Sequence, residues 1–267
     1  MGKKEVAIFD RMNKWDPDSY LKYKEERTQP SYDLVARIEI ANPANIIDIG
    51  CGPGNSTRAL RERWPNARIL GLDSSQDMIE KAGKAFPQER WILADATEWK
   101  TDEKYDIVFS NAALQWIPNH ELLIQKLFAL VTDQGALAVQ VPANNHSPLH
   151  KVVLRVSKRE EWRELTYGCD SMLTYLNAGF YYDQLSSISL RIDIWQTTYY
   201  HTMVSHQDLI DWYASTGMRP YLERFTKDSE RYSFQEQVLE ECTPHYPKQR
   251  DGKILFPFNR IFFVAYK

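Results

Sequence analysis

The stretch Asp48-Ile49-Gly50-Cys51-Gly52-Pro53-Gly54-Asn55-Ser56-Thr57 sets three glycines at alternate positions just after an acidic residue. Glycines there let the backbone turn sharply and approach a bound molecule closely. The spacing is GxGxG, whereas dinucleotide binders carry GxGxxG and seat a pyrophosphate against a helix N-terminus. A glycine-rich turn by itself also occurs in flavin and NAD folds, so the acidic residues that follow have to decide between ligands. Asp73 comes about 20 residues after the loop, where a carboxylate accepts two charge-assisted hydrogen bonds from a ribose diol. Asp95-Ala96 would end a third strand, where a carboxylate can meet an adenine amino group. Asn111-Ala112 would end a fourth.

These residues point to a phosphate-free ligand with an amino-acid tail, a ribose and an adenine. S-adenosylmethionine (SAM) has those parts. Asp48 suits a buried carboxylate facing the polar tail. The expected cofactor set is Asp48, Gly50, Gly52, Gly54, Asp73, Ser74, Met78, Asp95, Ala96, Asn111, Ala112 and Trp116. Trp15, Tyr20 and Arg27 join it from an expected N-terminal helix folding over the cofactor. Arg27 would meet the methionine carboxylate, and an aromatic near a sulfonium is favoured by cation–π attraction.

The elements that must position these residues alternate. Strands are expected at 44–50, 67–73, 90–95, 105–111 and 135–142, with helices at 55–64, 75–86 and 120–131, two of them stopped by Pro65 and Pro87. Strand–helix alternation predicts a parallel sheet with helices on both faces, and ligands bind at the carboxyl ends of such strands. The second half differs. It is mixed over 143–189, strand-prone over 191–203, and helical over 205–216, with Ser205 as N-cap and Gly217 as stop. It is helical again over 227–242, with a hairpin or paired strand at 253–266. The expected fold is α/β, a doubly wound, mostly parallel seven-stranded sheet of the Rossmann-like class I SAM methyltransferase kind. It forms one domain over 1–267, with helical cap insertions at 143–190 and 204–250.

Bulk properties exclude other classes. Net charge is -3 over 267 residues. With a pI near 6.1 there is no polybasic surface for nucleic acid. The Asn/Asp-Pro-Pro-aromatic motif of base amino-group methylases is replaced by Asn111-Ala112-Ala113-Leu114-Gln115-Trp116. Cys51, Cys169 and Cys242 form no CxxC, so neither a disulfide framework nor a zinc site is expected, and a reducing cytoplasm is the simplest setting. No apolar run reaches the roughly 18 residues of a membrane span, the N-terminus lacks the apolar core of a signal peptide, and the dispersed histidines suggest no metal. Eight Trp and fifteen Tyr, many of them in the second half, are the unusual feature of the composition.

The chain resembles the trans-aconitate 2-methyltransferase family. The matching segments are WDPDSY with ERTQP, DIGCGPGNST, RWPNARILGLDSS, NAALQWIPNHELL, GALAVQVP, YYDQL, DIWQTTYYHTMVSHQDLIDWYASTGMRPYL and GKILFPFNRIFFVAYK. They run from about Trp15 to the C-terminus, with departures over the first 14 residues and over 144–173. The block from Trp195 to Leu222 is the most distinctive, because general SAM binding does not demand it. The resemblance implies cytoplasmic formation of a monomethyl ester on a small polycarboxylate. Such a carboxylate has a pKa of about 4 and is already ionised at pH 7, so no general base is needed. No catalytic residue is therefore assigned, and Gln115 and Trp116 are expected to position the reacting groups. The acceptor's other carboxylates need cationic or hydrogen-bonding partners, and the candidates are Tyr182, Tyr199, His201, Trp212, Arg219 and Tyr221. Other readings stay open from the residues: another small acid or phenol as acceptor, a non-catalytic SAM-binding regulator, or an NAD-dependent oxidoreductase. The oligomeric state is not legible.

Overall fold

The computed structural model describes residues 24–267, with side chains from residue 28. Trp15, Tyr20 and the Arg27 side chain lie outside the described residues. The described chain divides into two compact units. A core unit comprises residues 24–142, 176–197 and 261–267, and a second unit comprises 143–175 and 198–260.

The sheet is built around β1 (Asn45–Ile49), whose last four residues are buried. It lies between β2 (Arg68–Asp73) and β4 (Tyr105–Asn111), parallel to both. β3 (Arg90–Leu93) pairs parallel with β2, and β5 (Val131–Pro142) pairs parallel with β4. Two late strands, β6 (Arg191–Met203) and β7 (Ile254–Tyr266), complete the order β3-β2-β1-β4-β5-β7-β6. Leu190 N–H donates to Tyr266 O, and Trp195 stacks on Phe262 at 5.0 Å, so β6 and β7 run antiparallel. The runs Ile-Ile-Asp-Ile and Ile-Val-Phe are nearly unbroken apolar segments because a parallel sheet is covered on both faces. The expected seven-stranded, mostly parallel α/β sheet is the one the chain forms.

Helix α1 (Lys24–Arg37) packs on α2 (Asn55–Arg63) and β5. α3 (Gln76–Ala85) is capped by Ser75, whose Oγ accepts from Met78 N–H. α4 (His120–Ala129) buries Leu123, Ile124, Leu127 and Phe128. The chain then enters the second unit with α5 (Pro148–Ser157) and returns to the core unit for α6 (Ala178–Leu185). Within the core unit Tyr181 stacks on Phe263 at 4.9 Å, and its hydroxyl lies 2.9 Å from His120 Nδ1. Residues 176–190, expected in a cap, therefore pack with the sheet.

The second unit holds α7 (His206–Ala214), the single turn α8 (Arg219–Leu222) and α9 (Asp228–Cys242), which packs on α5 and α7. Ser205 and Asp208 form a capping box at the start of α7, as the serine predicts. Its core is aromatic: Trp162 meets Phe225 at 5.3 Å and Phe234 at 5.9 Å. Full burial of each such side chain contributes ~1.5–3 kcal/mol. Gly217 is not a left-handed stop. A Cβ there would lie 2.4 Å from the Tyr213 hydroxyl, so the missing side chain makes room for that ring. Of the hairpin or paired strand expected over 253–266, the chain forms the paired strand, with an isolated antiparallel bridge between Lys248 and Ile254 at its start.

Candidate functional site

Gly50, Gly52 and Gly54 all adopt positive φ, at 69°, 53° and 91°. Any other L-residue would cost roughly 1–2 kcal/mol at each position. The three do different things. A Cβ on Gly50 would strike Ala113 Cβ at 2.2 Å, and one on Gly54 would meet the Phe86 ring at 2.8 Å, so both serve close packing. Gly52 has no atom within 4 Å of its Cβ position, so its backbone borders open space where a ligand can lie.

Asp48 is fully buried. Its Oδ2 accepts hydrogen bonds from Ser56 Oγ at 2.7 Å and Thr57 Oγ1 at 2.6 Å, both in the first turn of α2. Its Oδ1 is buried and has no partner. Burial pushes the carboxyl up to about 6 against the opposing effect of those two hydroxyls, and the charge of Asp73 adds to the rise. An unsatisfied buried acceptor costs about 1–3 kcal/mol, more for a charge, unless a donor or cation completes it. Asp73 ties the loop to the end of β2: its Oδ2 accepts from Gly52 N–H and its Oδ1 from Ser75 N–H, both at 2.9 Å. A carboxylate has about four acceptor positions, so it retains capacity for a diol. Ser74 is exposed beside it, and Met78 is buried on α3.

Asp95 lies two residues past the end of β3, where its Oδ1 accepts from the N–H and the hydroxyl of Thr97, each at 2.7 Å. Lys126 pins this turn to α4 through the carbonyls of the buried Ala96 (2.9 Å) and of Thr97 (2.8 Å). At the end of β4, Asn111 has a buried Oδ1 with no partner. Ala112 follows with φ 54°, unusual for a non-glycine residue, and its carbonyl accepts from Gln115 Nε2 at 2.7 Å. Gln115 is buried, and its Oε1 is also unpartnered. Trp116 is half-buried in the turn Leu114–Trp116, which His120 Nε2 anchors at the Leu114 carbonyl, 2.8 Å away.

β1, which carries Asp48 one residue before its end, and β4, which ends in Asn111, are paired neighbours, so the free oxygens sit near adjacent carboxyl ends. Orphaned acceptors, a left-handed glycine facing open space and a carboxylate with spare lone pairs suit a ligand rich in N–H, O–H and positive charge. SAM, with its ammonium, sulfonium and ribose hydroxyls, fits that donor set.

Of the acceptor candidates, Tyr182 is exposed on α6 and belongs to the core unit. The rest lie in the second unit as two groups. His201 is buried, 4.6 Å from the Trp212 ring, with Tyr199 parallel to it at 6.4 Å. Arg219 and Tyr221 occupy α8. The Arg219 guanidinium is paired with Glu223 at 2.6 Å, and the buried Tyr221 stacks on Phe234 at 6.1 Å.

Sequence reasoning missed Ser56 and Thr57, although their position just after the last glycine was a signal. It also missed Arg260, buried with Cζ 4.8 Å from the Phe258 ring and 5.8 Å from Tyr199, and Arg224, treated below. Among the described residues no three metal-ligating side chains converge, and no helix is long and apolar enough to cross a membrane.

The family described as "Methyltransferase domain" matches residues 46–135. The trans-aconitate 2-methyltransferase of Escherichia coli (strain K12 / DH10B) is 42% identical over 254 residues, covering 95% of this chain and 98% of that protein. The protein of the same name from Shigella flexneri is 43% identical over the same shares. Among solved structures, the YcgJ protein of Bacillus subtilis superposes with a TM-score of 0.59 at 14% identity, over 90% of this chain and 98% of that one. Haemonchus contortus phosphoethanolamine N-methyltransferase 2, in complex with S-adenosyl-L-methionine, gives 0.56 at 15% identity, over 90% of this chain and 52% of that one. At these identities the two structures speak for a common fold alone.

Proposed function

The chain belongs to the trans-aconitate 2-methyltransferase family and is a SAM-dependent methyltransferase that esterifies trans-aconitate; on that premise we propose how its residues divide the work. The cofactor supplies an electrophilic methyl group on a cationic sulfur. Bound at this site, it would supply that methyl to one carboxylate of the acceptor, giving a methyl ester and S-adenosylhomocysteine as the two products. The nucleophile is ionised in advance, so the protein's task is alignment and charge, without a proton carrier.

Asp48 Oδ1 and Asn111 Oδ1 would accept from the ammonium and neighbouring donors of the cofactor tail. The open face of Gly52 lets the cofactor lie against the backbone. Asp73 would take the ribose diol with the lone pairs that Gly52 and Ser75 leave free, and Asp95 with Ala96 would border the adenine. Gln115 and Trp116, on the turn fixed by His120, orient the reacting groups. Tyr199, His201, Trp212, Arg219 and Tyr221 are assigned to the acceptor. Tyr182 is kept only as a candidate, being exposed on another helix.

The observation that carries the cofactor assignment is the buried Asp48 carboxylate, with one oxygen unpartnered at the foot of a left-handed glycine loop. The substrate rests on identity spread over nearly the whole chain. Three free, buried cysteines support placing the enzyme in the cytoplasm. The modest negative net charge supports a small-molecule acceptor over nucleic acid.

The test is transfer of labelled methyl from SAM to a panel of small acids. Base-labile label on trans-aconitate above all other acids is the expected result. Label on a different acid removes the substrate and leaves the methyltransferase.

A further inference from the structure

The second unit contains a buried cluster in which hydrogen-bond donors are left without an acceptor. The Tyr213 hydroxyl lies 2.7 Å from His150 Nδ1 and is also hydrogen-bonded to Tyr175, whose ring meets His150 edge-on at 5.3 Å. Tyr221 interacts electrostatically with both Tyr175 and Tyr213, is only 2% exposed, and has a hydroxyl with no partner. Three residues on, Arg224 has a buried Nε with no partner and makes no ion pair among the described residues. Its guanidinium reaches the Cys169 thiol, which lies close enough to Tyr221 to act on it and itself donates to Pro220 O at 3.3 Å.

The nearby acids do not satisfy these donors: Glu223 is held by Arg219 at 2.6 Å, and Asp170 is exposed. Burial keeps the cluster's own groups from carrying negative charge, while the charge of Asp170 reaches Tyr221 and Cys169 from outside it. It pushes Tyr175 up to about 12 and draws His150 down to about 4, so both are neutral at pH 7. Each phenol owns one proton. If His150 Nδ1–H donates to Tyr213 and Tyr213 donates to Tyr175, the Tyr175 proton points out of the chain and joins those of Tyr221 and Arg224. Three donors with one positive charge then face a common need for an anionic acceptor.

We propose that Tyr221, Tyr175 and Arg224 form a subsite in the second unit that takes a carboxylate of the acceptor, with Tyr213 and His150 as positioning residues. This rests on the polycarboxylate reading given above. It moves the cationic role from Arg219, which is occupied by Glu223, to Arg224.

The test uses the full chain and its Tyr221→Phe and Arg224→Gln variants. Steady-state kinetics give KM for trans-aconitate and for SAM, thermal unfolding gives Tm, and calorimetric titration of tricarballylate reads binding without turnover. Tyr221→Phe keeps the ring on Phe234 and removes a hydroxyl that bonds nothing in the protein. KM for trans-aconitate should rise about tenfold, as expected for one hydrogen bond to a charged group, with KM for SAM unchanged and Tm unchanged or higher. Arg224→Gln should raise KM for trans-aconitate roughly a hundredfold, again without touching SAM. A lower Tm with KM within twofold of wild type, or equal rises for both substrates, overturns the subsite. If wild type esterifies no polycarboxylate, the functional reading fails on its own. The titration still decides the subsite: tricarballylate binding that is lost in both variants sustains it, and no binding to wild type overturns it.

Discussion

The two units leave different atoms unfinished in the regions assigned to cofactor and acceptor. In the core unit the orphaned atoms include the oxygens Asp48 Oδ1, Asn111 Oδ1 and Gln115 Oε1, with the donor Asn55 Nδ2 beside them at the start of α2. In the second unit they include the donors Tyr221 Oη, Arg224 Nε and Asn144 Nδ2. Acceptors without donors suit a cation, and donors without acceptors suit an anion. A methyl transfer from a sulfonium to a carboxylate needs one of each. A buried polar atom left unpaired costs stability, so its polarity is a record of what the site is shaped to receive.

The sharpest way to break this contrast is Asp48→Asn, which keeps shape and removes charge. SAM affinity should fall by roughly a hundredfold or more, the scale of breaking a buried charge pair, while tricarballylate binding in the absence of SAM stays within twofold. Equal losses of both ligands, read by calorimetry, would dissolve the distinction between the units. Gly50→Ala comes next. Its Cβ meets Ala113 at 2.2 Å, and left-handed strain plus overpacking should cost about 2–4 kcal/mol in chemical denaturation. Gly52→Ala meets no atom, should cost only about 1–2 kcal/mol of strain, and should spend its larger effect on SAM affinity. If the two alanines prove interchangeable in both assays, the division between packing and ligand glycines is wrong. Asp73→Ala should weaken SAM about tenfold, as for a charge-assisted pair, and unchanged affinity would reduce Asp73 to a loop clamp.

The smallest effect is pH dependence. The Asp48 carboxyl, raised by burial to about 6 from 3.8, favours the folded state when protonated. That contribution is complete below about 4 and lost as pH rises through about 6. SAM, as a cation, pulls the other way by favouring the ionised form. Its affinity should climb as pH rises through about 6, and in Asp48→Asn that inflection should vanish. A titration curve identical in both proteins would assign the inflection to another group.

The core unit was readable because its signals are local. Glycines at alternate positions, acidic residues at strand ends and a strand–helix rhythm all sit within short windows, and they locate Asp48, Asp73 and Asn111 at or beside the carboxyl ends of β1, β2 and β4. What was not readable depends on partners far along the chain. Tyr181 belongs to the core unit because His120 and Phe263 reach it, which no window around 176–190 contains. Gly217 looks like a helix stop until the Tyr213 hydroxyl is seen beneath it. Arg219, on a one-turn helix, and Arg224, two residues past its end, cannot be ranked by sequence, since the choice turns on which of them Glu223 neutralises. Asp95 fell beyond its strand because β3 ends at Leu93, where the chain turns to let Thr97 close on the carboxylate.

Cys51 gives the glycine loop a clock. Its thiol is buried within the loop, and burial together with the charges of Asp48 and Asp73 holds its pKa well above the ordinary value. While the loop is closed the thiol is both shielded and protonated, so an alkylating reagent can react only during an opening. Its modification rate counts those openings one by one, and the slowing produced by a bound cofactor measures how firmly the loop is latched. Cys169 and Cys242, buried in the second unit, keep separate time.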